Sequence, residues 1–123
     1  MTIHEAITRA DILMPNQYTD AEKIRWLSEL DGQAKQEIFD RCEGSPADAF
    51  MGYAEDTDTD TALLIAPPYD GVYVDWLQAQ YSYHNAEFTK YANAQTKFNN
   101  SYLSFQAAWI RTHRSNSTAG MRY

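Results

Sequence analysis

Apolar positions recur every three or four residues along most of this chain, the spacing of helices that bury one stripe. The first stripe is Ile3, Ala6, Ile7, Ala10 and Leu13. Thr2 and Glu5 stand just ahead at capping-box spacing, where a hydroxyl and a carboxylate satisfy N–H groups at a helix start. These signals predict a helix over 3–13, stopped by Pro15. After the turn "PNQYTD", Thr19 and Glu22 repeat the box, and Ile24, Leu27, Leu30, Ala34 and Ile38 form a second stripe. A helix over 19–42 is predicted, ended by "EGSP". Gly32 lies inside it at a cost of about 1 kcal/mol relative to alanine. It predicts close approach of another backbone, or a kink.

Residues 43–68 keep neither period. Pro46 and the stretch "EDTDTDTALLIAPPYDG" make them an irregular acidic connector, with "ALLIA" as a short extended piece. Pro67 and Pro68 bar helix before Tyr69. A connector of this length is uncommon in a small domain and points to binding or assembly contacts.

The third stripe is the longest. Tyr73, Trp76, Gln80, His84, Phe88, Tyr91, Gln95, Phe98, Tyr102, Phe105 and Trp109 hold one helical phase. The pattern predicts a single helix over 69–112, with a kink near 84–86, or a fold-back at Asn85 into a hairpin, as the alternative. Residues 114–123 read as a flexible tail. The fold class is all-α, with 1–113 as one helical domain: two short N-terminal helices, an acidic loop and a long C-terminal helix.

That long helix sets up a mismatch of size. About 44 residues of helix would span roughly 65 Å, while a compact chain of this length has a radius of gyration of about 14 Å. Rings beyond the reach of two short helices must meet neighbouring copies. Tyrosine suits such contacts, because it buries a ring while its hydroxyl keeps a polar partner. Trp76, His84, Phe88, Tyr91, Phe98, Tyr102, Phe105 and Trp109 are therefore the candidate oligomer or partner interface. In the hairpin alternative, every ring is core.

Composition changes this picture in one respect. The 123 residues include nine Tyr, five Phe and three Trp, with a net charge of −7. All 17 acidic residues precede Phe88, together with five of the ten basic ones; the other five (Lys90, Lys97, Arg111, Arg114, Arg122) follow it. An acidic body with a basic end can join its own copies head to tail or dock an acidic partner. The acidic total excludes a duplex-DNA reader, which needs a basic face for the phosphates. No apolar run reaches the roughly 18–20 residues of a membrane span, and "MTIHEAITRADIL" lacks the pattern of a signal peptide. Cys42 is the single cysteine, so no intrachain disulfide is expected.

Candidate chemistry is thin. Asp56, Asp58 and Asp60 match the first, third and fifth positions of an EF-hand loop, but Thr61 and Pro67 stand where glycine and a bidentate glutamate are required. His84 and Glu87 share a helix face, yet this is one reversed copy of a motif that bundle di-metal sites need twice. Cys42 has no histidine near it in sequence to make a nucleophile pair. Phosphate-binding glycine motifs and nucleophile elbows are absent. Rings interleaved with Lys90 and Lys97 could stack single-stranded nucleic acid, but they sit at core spacing. No enzyme, cofactor or metal is expected.

"KIRWLSELDGQAKQEI", followed by "FMGYAEDTDTDTALLIAPPYDGVYVDWLQAQYSYHNAEFTKYANAQTKFNNSYLSFQAAWIRTH", resembles a family of short prophage-encoded proteins of Gram-positive bacteria. The shared order is a Trp-Leu-x-x-Leu-Asp helix, an acidic Gly-Tyr to Asp-Thr loop, a Pro-Tyr-Asp step, and a Tyr/Asn-rich helix ending near Arg-Thr-His. It runs from about Lys23 to His113. The resemblance implies a head–tail connector or adaptor of the virion, all-helical, forming a ring of its own copies under the portal. It would complete the filled head and seat the tail-side stopper, with host cytoplasm as the place of assembly. Arg111, Arg114 and Arg122 would anchor to the portal, and acidic residues would line a channel for DNA. Two other classes stay open: a small helical regulator or antitoxin-like binding module of the same mobile element, and a small metal-dependent enzyme.

Overall fold

The computed structural model describes residues 1–41 and 50–113. Their order is α1 (Ile3–Leu13), α2 (Asp20–Glu37), a 3-10 turn at Phe39–Arg41, α3 (Val72–His84) and α4 (Phe88–Thr112). Among the described residues there is no strand, only an isolated antiparallel bridge between Thr2 and Ala62. The all-α class and the order of elements are as expected from the stripes.

Both N-terminal helices begin where their caps predict. At α1 the box is complete, with the Glu5 N–H donating to Thr2 Oγ1 and the Thr2 N–H to Glu5 Oε1, both at 3.1 Å. At α2, Thr19 Oγ1 accepts from the Glu22 N–H at 3.2 Å. Helix α2 gives way at Ile38 to the 3-10 turn, so the expected helix over 19–42 is shorter; Cys42 lies outside the described residues. Helix α2 runs unbroken through Gly32, which admits no other backbone, for a Cβ there would meet nothing within 4 Å. Leu13, expected in the core stripe, is 63% exposed. The step after Ala10 is taken instead by Met14, which packs on the core and lies against Ser82.

The largest departure is the C-terminal element. The chain is not one helix over 69–112: it leaves the helix at Asn85 and folds back. Ala86 takes a left-handed φ of 59°. Its N–H donates to the Tyr83 carbonyl at 3.0 Å and that of Glu87 to the Ser82 carbonyl at 2.9 Å, the two bonds of a Schellman stop. Helix α4 then runs antiparallel along α3, with Tyr83 against Tyr91 (ring centroids 5.3 Å apart) and Trp76 against Phe98 (5.0 Å). The stripe that suggested a rod closes on itself.

Helix α3 is the centre of the molecule. Helices α1, α2 and α4 all pack on it; the backbone of α4 approaches no helix but α3, while its side chains reach α2 and the 3-10 turn. Val72, Tyr73, Leu77, Ala79 and Tyr81 are buried, so α3 has no wet stripe of its own. The connector is held at several points. The Thr59 and Thr61 carbonyls accept the His4 and Ile3 N–H groups at 2.9 and 3.1 Å, capping the first turn of α1, while Leu63 and Ile65 insert into the core.

Candidate interaction surfaces

Two carboxylate networks, one buried and one partly exposed, fix how the elements meet. Asp31, with no exposed surface, accepts from the Tyr73 and Tyr53 hydroxyls at 2.5 Å each and from the Leu64 N–H at 3.2 Å. Tyr73 Oη in turn accepts the Ile65 N–H at 2.7 Å. One carboxylate of α2 thereby holds α3 and both ends of the acidic loop. Burial raises its pKa, against the lowering effect of the two tyrosines and Leu64; burial beside Asp31 likewise pushes both tyrosine hydroxyls up. Asp11 is the second node, accepting from Asn16, Lys23 and Tyr81 at 2.8–2.9 Å. Burial opposes its charge, but those three bonds prevail and hold its carboxyl below the ordinary value.

The residues expected to form an assembly stripe divide into two groups. Phe98, Tyr102 and Phe105 are 3–6% exposed in the single chain. Tyr102 also donates to Glu37 Oε1 at 2.7 Å. Trp76 is half-buried, its Nε1 donating to the Trp26 carbonyl at 2.8 Å. Trp109 lies edge-on to Phe39 at 4.8 Å and stacks on His113 at 3.6 Å. These five are structural residues of the hairpin, which removes the size mismatch as an argument for self-assembly.

The rest of the stripe stays at the surface. Phe88 is 64% exposed, Tyr91 is half-buried, and His84 is exposed while stacking on Trp26 at 5.1 Å. His84 and Tyr91 cluster with Tyr83 and Tyr18 at the hairpin tip, where Tyr18 Oη donates to Asn85 Oδ1 at 2.6 Å. Arg111 is exposed; Arg114 and Arg122 lie outside the described residues. Along α4, helical phase places Leu103 (60% exposed) and Ile110 (40%) on the same outer face as Phe88. That face was not singled out from the sequence, because the aromatic stripe at right angles to it carried the stronger signal.

The described residues of the connector make no metal centre. Asp56, Asp58 and Asp60 are exposed, and Asp58 Oδ1 is taken by the Asp60 N–H at 2.9 Å. Among the described residues there is no group of three or more metal-type ligands, and no helix is long and apolar enough to cross a membrane. Comparison with protein-family models, with curated proteins and with solved structures gave no match to this chain.

Proposed function

We propose that this protein is a structural component of a phage virion, a head–tail connector that binds the portal as a ring and supports head completion and tail attachment. It acts by shape and charge at subunit contacts, without bond chemistry. The resemblance in motif order between Lys23 and His113 suggests the class. The physical observation that carries it is the character of α4. This helix has no carboxylate over its whole length and presents Phe88, Leu103 and Ile110 outward. It sits on a body that holds every acidic residue of the chain. A carboxylate-free helix with an open apolar face on an acidic body favours heterologous contacts, in which one copy's α4 meets the acidic side of the next.

The buried rings of the hairpin give each subunit a finished core, so in this reading the chain folds before it joins a ring. Purified tailed particles are expected to contain the protein at the joint below the portal, visible by cryo-electron microscopy. Deleting its gene should leave filled heads without tails. Tailed particles that lack the protein, with joining intact after deletion, would refute the proposal.

A further inference from the structure

The backbones of α1 and α4 both pack on α3 without approaching each other, which leaves a trough that begins between them and continues between the segment 66–72 and α4. Its upper part is a cavity of about 490 Å³ lined by Arg9, Ile12 and Leu13 of α1, Gly71, Val74 and Asp75 at the start of α3, and Lys97 of α4. Gly71 and Asp75 also line an adjoining hollow of about 300 Å³. Tyr69 joins that hollow to a third, of about 240 Å³, reaching Trp109 and Arg111. From Lys97 to Arg111 the run along α4 is about 21 Å, or four helical turns.

The lining is specific in character. Ile12 and Leu13 are 74% and 63% exposed. Gly71 leaves the floor open, since a Cβ there would meet nothing within 4 Å. Three cations border the trough: Arg9, Lys97 and Arg111. Asp75, its one carboxylate, is already bonded to Ser101 at 3.0 Å and paired with Lys97 at 3.4 Å. Glu5, one turn from Arg9, is held in the α1 cap. The trough is thus cationic and apolar on a chain whose net charge is −7.

We infer that this trough is a docking site for an acidic amphipathic helix of another protein, about four turns long, with aliphatic side chains on Ile12 and Leu13 and carboxylates at Arg9 and Lys97. A helix is an element that lays an apolar stripe with flanking charges along such a trough, and four turns match its run of about 21 Å. A second copy of this chain fits poorly. The exposed apolar face of α4 belongs to a helix with no carboxylate, so it offers Arg9 and Lys97 no counter-charge. The exposed positions of α2, such as Arg25, Glu29, Gln33 and Gln36, offer no aliphatic anchor. The inference rests on the trough and not on the connector reading.

The test is a selection with the full chain from a displayed library of four-turn helices, with leucines on one face and flanking positions randomised between glutamate and lysine. Enriched clones are expected to carry glutamate at the flanks. As synthetic peptides they should bind Arg9→Glu, and separately the Ile12→Ser/Leu13→Ser pair, at least about tenfold more weakly than the unaltered chain. These side chains are exposed, so circular dichroism should show both variants folded. No enrichment, enrichment of lysine-flanked clones, or affinities unchanged in both variants would overturn the inference. So would a wild-type dimer in sedimentation that Arg9→Glu abolishes, since the occupant would then be a second copy.

Discussion

Asp31 is a charge placed where a charge is costly, and its three donors are what make the position tolerable. Asparagine there keeps the size but offers one acceptor oxygen to three donors. Asp31→Asn is therefore expected to destabilise the fold by about 2 kcal/mol, read as a lowered midpoint in urea. The pH dependence has a definite sign. A folded-state pKa raised above 3.8 means that the native protein holds this proton more tightly than the unfolded chain. The contribution is fully present below 3.8 and is lost as pH rises through the raised folded value. Urea midpoints from just above 3.8 to neutrality should show this loss in the wild type and not in Asp31→Asn. Asp11, with its lowered pKa, acts oppositely: its contribution is present above 3.8 and lost as pH falls through the depressed value. None of this was legible beforehand. "ELDGQ" marks Asp31 as one more acidic residue on a helix, and only the fold brings Tyr53, Leu64 and Tyr73 to it from 22, 33 and 42 residues away.

The turn between α3 and α4 decides the architecture through a single unfavourable residue. Ala86 is the one non-glycine residue with positive φ among those described, and a left-handed alanine costs roughly 1–2 kcal/mol. Pairing the two halves of the aromatic stripe outweighs that cost. Ala86→Gly should therefore stabilise the protein by about 1 kcal/mol, read as a higher melting temperature. In an unbroken helix the same substitution would destabilise by a similar amount, so the direction of the change reports the hairpin. The stop was hard to see because "YHNAE" has neither glycine nor proline, and both arms carry apolar residues at one period. A phase that runs unbroken through a turn can still belong to two helices, when each arm uses the same stripe to face the other. The starts of α1 and α2 were legible because caps are local: Thr2 with Glu5, and Thr19 with Glu22, act within one turn.

For the molecule as a whole, the hairpin separates residues that hold the fold from residues free to meet partners. Phe98→Ala should cost about 3–5 kcal/mol, seen as an early thermal transition. Phe88→Ser and Leu103→Ser should change stability by less than about 0.5 kcal/mol, while, under the proposed connector function, weakening association between subunits. Loss of fold in the second pair, or full stability in the first, would contradict this division. The contrast could not be read from the stripe, which treats Phe88 and Phe98 as equivalent members.

From the sequence alone follow the helical class, the starts of α1 and α2, the irregular acidic connector and the one-sided distribution of charge. Each depends on neighbours within about one turn or on composition. Whether residues 69–112 extend or double back was settled by tertiary contacts. Those contacts weigh the burial of rings on two arms against a strained Ala86, a balance between distant groups that no local period contains. The same contacts set α1 and α4 apart on α3, and so opened the cationic trough whose residues lie at positions 9, 97 and 111 of the chain.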